Sequence, residues 1–178
     1  TGCGKQPLTP SHKAQFAYSS DLDGKSVIFT MYANGSDVTA LTDGSSNDSN
    51  PLWSPDGEKI AFISDRDGRN EIYLMNYDGS HQTRLTDSQL EKWWLQWSPD
   101  GQQITFDDKP SGTTSIYAIN IDELNLVKLG NQIDGVQRLT WSPDSQWLAF
   151  TQDTPNGGDL YIASRDGSDL KNLTNNPT

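Results

Sequence analysis

The sequence is poor in the residues that most often carry chemistry. One cysteine, Cys3, and two histidines, His12 and His81, occur among 178 residues. There is no Cys-x-x-Cys pair, no Gly-x-x-x-x-Gly-Lys phosphate loop and no dinucleotide fingerprint, so no cofactor is expected. A Gly-x-Ser-x-Gly elbow, the usual mark of a serine hydrolase, is missing as well. Neither histidine has the ligand spacing that a zinc site requires, so both read as solvated loop residues and no metal is expected.

Positive charge is also scarce. Thirteen Lys and Arg stand against 24 Asp and Glu, for a net charge of −11, and the basic residues are scattered singly. A nucleic-acid partner needs a basic stripe to displace counterions, so none is expected. No run of 18 apolar residues exists to span a bilayer as a helix. A sustained 3.6-residue apolar stripe is absent too, and Asp122-Glu123-Leu124 is at most one helical turn.

What the chain has in quantity is turn chemistry. It carries 15 Gly and 9 Pro, and its acid is mostly Asp, a turn residue, rather than Glu, a helix residue. Hydrophobic residues make up only 33%, yet six are Trp. Short strands joined by tight turns fit that mixture.

The turns recur with a fixed period. Trp53-Ser54-Pro55-Asp56-Gly57 returns as Trp97-Ser98-Pro99-Asp100-Gly101 and as Trp141-Ser142-Pro143-Asp144-Ser145, a step of 44 residues. Ala61-Phe62 returns as Thr105-Phe106 and Ala149-Phe150, Ile72-Tyr73 as Ile116-Tyr117 and Leu160-Tyr161, and one step back Ala17-Tyr18, Ile28-Phe29 and Leu41-Thr42-Asp43 form a fourth copy. That copy's first strand, around Thr9 to Lys13, does not match.

Each repeat contains four short apolar or alternating runs; in the second these are Pro51 to Ser54, Lys59 to Ser64, Glu71 to Asn76 and Gln82 to Thr86. Four strands per repeat make a propeller blade, so the fold class is an all-β propeller of four 44-residue blades. The repeats run about 10–49, 50–93, 94–137 and 138–178, with 1–15 as an N-terminal tail and 16–178 as the blades. Pro and Gly in Ser-Pro-Asp-Gly suit a type I turn, and the preceding Trp can fill the wedge between blades while its indole N–H finds a carbonyl.

The Asp-x-Asp-Gly segments at 21–24 and 65–68 open like a calcium loop. The twelfth positions are Tyr32 and Asn76, however, where such a loop needs a bidentate Glu, so both read as hairpin turns. The Asp107-Asp108 pair reads as a turn in the same way.

Taken together, Trp-Ser-Pro-Asp-Gly, Ile-Ala-Phe, Ser-Asp-Arg-Asp-Gly, Glu-Ile-Tyr-Leu-Met and Arg-Leu-Thr resemble the TolB-type propeller repeat over about residues 16 to 178. The same repeats resemble propeller domains of some peptidases and lyases, so the resemblance implies a fold more than an activity. Such propellers usually have at least six blades. Four visible blades imply a closed four-bladed ring, a part of a larger ring, or a partial ring completed by another protomer. Closure within one chain is the reading preferred on sequence alone.

In this family the first strand of each blade lines the central channel. Just before the repeated Trp, the copies carry Asn50, Trp94 and Arg138 at one position and Leu52, Gln96 and Thr140 two later; alternation places both sets opposite the repeated Trp. Trp93 and Trp94 lie outside the repeated pattern and are candidate anchors for a partner, with Gln96 and Arg138 as weaker ones.

Thr1-Gly2-Cys3-Gly4 resembles the end of a bacterial lipobox, which implies a lipid anchor at Cys3 and extracytoplasmic placement, in the periplasm or at the cell surface. TolB of this family is a periplasmic protein of the Tol–Pal envelope system. The resemblance implies a non-catalytic interaction or scaffold module of the envelope, self-assembling through its incomplete ring or binding a protein partner. The alternative is a carbohydrate- or peptide-binding propeller belonging to a peptidase or lyase, with its ligand at the channel mouth.

Overall fold

The computed structural model describes residues 15–108, 115–129, 136–154 and 157–174. Among these are fifteen strands and no helix, arranged as four antiparallel sheets in which strand order follows chain order. The first sheet is β1 (Gln15–Leu22), β2 (Lys25–Tyr32) and β3 (Thr39–Ala40). The second is β4 (Asp48–Trp53), β5 (Lys59–Ser64), β6 (Glu71–Asn76) and β7 (Thr83–Arg84). In the third are β8 (Trp93–Trp97), β9 (Gln103–Asp108), β10 (Ser115–Asn120) and β11 (Leu126–Leu129); in the fourth, β12 (Val136–Trp141), β13 (Trp147–Thr154), β14 (Gly157–Ser164) and β15 (Leu170–Asn172). The non-matching segment around Thr9 to Lys13 lies outside the described residues.

Turn chemistry sets the strand limits. In the Ser-Pro-Asp-Gly hairpin, Ser54 Oγ accepts from the Lys59 N–H at 2.9 Å, while the Asp56 carboxylate accepts from Ser54 Oγ at 2.5 Å and from the Glu58 N–H at 3.0 Å. The same bonds recur around Asp100 and Asp144. Asp23-Gly24 closes β1 onto β2 with both residues at positive φ, 54° and 84°, the geometry of a two-residue type I′ turn.

The Thr of the Leu-Thr-Asp motif has an equally local task. Its hydroxyl accepts the backbone N–H of an apolar residue on β2, β6 or β14 in three copies: Thr42 from Ile28 at 3.1 Å, Thr86 from Ile72 at 2.9 Å and Thr174 from Leu160 at 3.0 Å. A β-branched hydroxyl there closes the blade's outer edge without spending a further strand residue.

Blades pack face to face. The back of the first blade (Ile28, Leu41, Ala17) meets the front of the second (Ile60, Phe62, Tyr73, Met75, Trp53). The back of the second (Ala61, Ile72, Leu74, Leu85) meets Trp97, Ile104, Phe106 and Ile119 of the third. The back of the third (Ile116, Ala118, Leu129) meets Trp141, Leu148, Phe150 and Ala163 of the fourth. Every blade also carries one aromatic pair on its front, Tyr18–Phe29, Phe62–Tyr73, Phe106–Tyr117 and Phe150–Tyr161, with ring centroids 5.7, 5.6, 5.6 and 5.8 Å apart. The alternating pattern of the sequence therefore becomes two apolar faces per blade, each made for a neighbour.

The outermost faces are open. Phe16, on the front of the first blade, is 56% exposed, and Leu173, on the back of the fourth, is 53% exposed.

Candidate functional site

The first strands β4, β8 and β12 are not regular. Each shifts register against its neighbour, between Ser49 and Leu52, between Trp93 and Gln96, and between Gln137 and Thr140. At the bulge Asn50 has φ 52° and Trp94, one repeat later, has φ 45°. Asn accepts left-handed backbone readily, whereas a bulky side chain there carries strain on the order of 1 to 3 kcal/mol. A bulge re-aims the side chain it carries.

Trp94 is the result of that re-aiming: it is 81% exposed, and Trp93 beside it is 46% exposed. The chain on both sides is fixed. The Glu91 N–H donates to Asp108 Oδ1 at 2.8 Å, and the Lys92 ammonium, fully buried, donates to Glu71 Oε2 at 2.8 Å and to the Ser88 carbonyl at 3.3 Å. Downstream, Thr105 Oγ1 donates to the Gln96 carbonyl and the buried Trp97 indole N–H donates to the Leu52 carbonyl, both at 3.2 Å. Trp93 itself is steadied by its indole N–H, 3.4 Å from Glu91 Oε2. Two large aromatic surfaces are thus presented to solvent from an anchored segment, which lowers the ordering cost of engaging a partner.

The bulge also corrects the expectation that positions 50 and 52 of each repeat share a face. Leu52 packs into the interface between the second and third blades, and Gln96, at the equivalent place, is half-buried while Trp94 stands out. Alternation fails because one residue is inserted between them. Arg138 lies on the bulged β12, but its side chain, like Cys3 and His12 as whole residues, lies outside the described residues. His81 is on the loop after Asp78-Gly79, its Nδ1 3.0 Å from Asn76 Nδ2 and 3.1 Å from Ser80 Oγ.

A concavity lies elsewhere, a cleft of about 390 Å³ between blades one and two lined by Leu41, Thr42, Asp43, Ser45, Arg66 and Gln82. The Arg66 guanidinium is already engaged by Asp48 at 3.2 Å and Gln82 at 2.8 Å and stacks 4.6 Å above the Tyr73 ring. Its role is to pin the blade. Burial, together with the Asp67 carboxylate that accepts its hydrogen bond, pushes the Tyr73 phenol up to about 12, so the ring stays neutral across the physiological range. Among the described residues no three His, Cys, Asp or Glu side chains converge as metal ligands would.

The TolB β-propeller domain model matches residues 7–94 of the sequence. The chain has the fold of a TolB-like β-propeller. Its fold superposes on TolB from Acinetobacter baumannii with a TM-score of 0.71 at 20% identity, covering 92% of this chain and 42% of that one. For a putative TolB from Agrobacterium tumefaciens the TM-score is 0.68 at 24% identity, covering 89% and 60%. A puromycin-hydrolysing peptidase of Mycobacterium tuberculosis matches with a TM-score of 0.67 at 15% identity, covering 93% of this chain and 28% of the peptidase. The TolB-like chain thus spans between about a quarter and three fifths of these structures. No curated protein matches it by sequence.

The buried pair of Lys92 and Glu71 and the left-handed backbone at Trp94 were not anticipated from the sequence. A signal for the second was present in Asn50, a residue type at ease in that conformation, standing one repeat before Trp94.

Proposed function

We propose that this TolB-like propeller is a non-catalytic, extracytoplasmic protein-interaction module of the bacterial cell envelope, with Trp93 and Trp94 as its anchor. Cys3 is its lipid attachment point, and Gln96 and Arg138, both on inner strands, are secondary candidates for partner contact. The observation that carries this reading is Trp94: a bulky aromatic, 81% exposed, held at positive φ on a segment whose neighbours are buried and hydrogen-bonded. Strain combined with exposure brings the folded chain no stability, so the arrangement favours a partner that covers the ring. The similarity to two TolB structures supports the envelope setting.

The test uses the 178-residue chain, immobilised and exposed to a bacterial envelope extract. Proteins retained by the wild type should be lost with Trp94→Ala and kept with Leu124→Ala, which removes an apolar side chain that is 52% exposed on a different loop. Equal retention by both variants would remove Trp94 as the anchor.

A further inference from the structure

The third blade is packed on both sides, against the second and the fourth, so the exposure of its inner strand is not that of an end blade. In the segment Glu91 to Trp97 the lone base, Lys92, is turned inward onto Glu71 at 2.8 Å and adds no positive charge to the surface. Glu91 is exposed, and its Oε2 accepts from the Trp93 indole N–H at 3.4 Å. Among the described residues no cation pairs with that carboxylate. Asp107 stands opposite Trp93 in the register of β8 on β9. The surface is thus a pair of exposed indoles with a carboxylate at its edge, on a chain of net charge −11.

What that combination holds is visible elsewhere in the molecule. The Arg66 Cζ lies 4.6 Å from the Tyr73 ring centre, with its Nη2 3.2 Å from the Asp48 carboxylate. The Lys171 Nζ lies 5.5 Å from the Trp147 ring centre and 3.1 Å from the Asp169 carboxylate. In both, one cation is shared by a ring face and an acid, and the ring quadrupole and the carboxylate attract the same charge. Trp93, Trp94 and Glu91 supply ring faces and acid without the cation. We propose that they receive a basic side chain of the protein partner, its cation against the exposed indoles and its N–H groups toward Glu91. Arginine fits better than lysine, because a planar guanidinium stacks on an aromatic face and forks onto a carboxylate. The inference rests on the reading of Trp94 as the anchor and adds the chemistry of what the anchor takes. The field of the acidic chain draws a basic segment toward it at low salt.

The experiment measures, by fluorescence anisotropy, binding of the 178-residue chain to two end-blocked labelled peptides. One alternates Gly and Arg; the other has citrulline for Arg, which keeps the shape and loses the charge. The variants are Trp94→Phe, Trp94→Leu, Glu91→Gln, which leaves an acceptor for the Trp93 indole, and Asp122→Asn, which removes an exposed carboxylate from another loop. Wild type should bind the Arg peptide about tenfold more tightly than the citrulline peptide. Glu91→Gln and Trp94→Leu should each weaken Arg-peptide binding by at least about fivefold, while Trp94→Phe and Asp122→Asn stay within about twofold of wild type. A thermal melt shows that each variant is folded; where Trp94→Leu is not, Trp94→Ala takes its place. Equal affinity for the two peptides overturns the proposal, as does a wild type that binds neither. So do equal losses in Glu91→Gln and Asp122→Asn, which would trace binding to net charge, or a Trp94→Leu variant that binds as wild type does. Envelope proteins lost with Trp94→Ala but kept with Glu91→Gln would leave the anchor standing and overturn the cation.

Discussion

Lys92 occupies the repeat position that Asp48 holds one blade earlier, and each is buried against an opposite charge: Lys92 on Glu71 at 2.8 Å, Asp48 on Arg66 at 3.2 Å. The sign of the charge is reversed between copies and the partner comes from a different element, so the position is held by burial with compensation rather than by one residue type. Replacing Lys92 by Met leaves the Glu71 carboxylate buried with only Thr86 Oγ1 and the Ser88 N–H as donors. The expected cost is about 3 to 5 kcal/mol in urea unfolding, since an uncompensated buried charge remains. Adding Glu71→Gln should recover much of it; a single-variant cost under about 1 kcal/mol would contradict the pairing.

The three repeated tryptophans are not equivalent. The Trp97 indole N–H reaches the Leu52 carbonyl at 3.2 Å, whereas the Trp53 and Trp141 indole nitrogens are buried with no hydrogen-bond partner among the described residues. Trp97→Phe should therefore cost about 1 kcal/mol more than Trp141→Phe, because only the first breaks a bond and strands a buried carbonyl. Chemical denaturation of the two variants measures the difference.

Gly79 and Gly57 both sit at positive φ, 83° and 78°, but only the first faces another blade. A Cβ on Gly79 would stand 2.9 Å from the Leu41 carbonyl oxygen, and one on Gly57 would meet nothing within 4 Å. Gly79→Ala should lower the melting temperature by several degrees more than Gly57→Ala. Equal shifts would mean that the first and second blades give way without cost.

Acid should weaken the fold over a defined window. Hydrogen bonds from Ser164 Oγ, from the Ser168 N–H and from Ser168 Oγ hold the Asp166 carboxyl down at about 2, and Ser54 and Ser142 hold Asp56 and Asp144 below their ordinary values in the same way. A carboxylate depressed in the folded state stabilises it fully above the unfolded value of about 3.9 and loses that contribution as pH falls through the folded value. The melting temperature should be flat from pH 7 to about 5 and decline below about 4 toward 2. Asp166→Asn should make that decline shallower, which a pH series of thermal melts can read.

The strands Lys59–Ser64 and Glu71–Asn76 coincide with the runs read from sequence, because Pro, Asp and Gly at fixed offsets fix where a strand stops. The wedge role of the repeated Trp was equally legible, and its hydrogen bond held for one copy of three. Legibility failed where a contact depends on geometry between repeats. Nothing in the string Glu-Lys-Trp-Trp announces that the Lys turns inward to a glutamate 21 residues upstream while the second Trp turns outward at positive φ. Periodicity assumes a continuous pleat, and one inserted residue in β8 is enough to separate Trp94 from Gln96.

The bulged position has a consequence for how such a molecule changes over generations. At inner-strand sites such as Leu52 and Leu95 a new side chain must satisfy the neighbouring blade, but the bulge releases Asn50 and Trp94 from that obligation and points them outward. Selection can rewrite these addresses one blade at a time while the scaffold stays solved, and Asn, Trp and Arg at 50, 94 and 138 are three different inscriptions in the same slot.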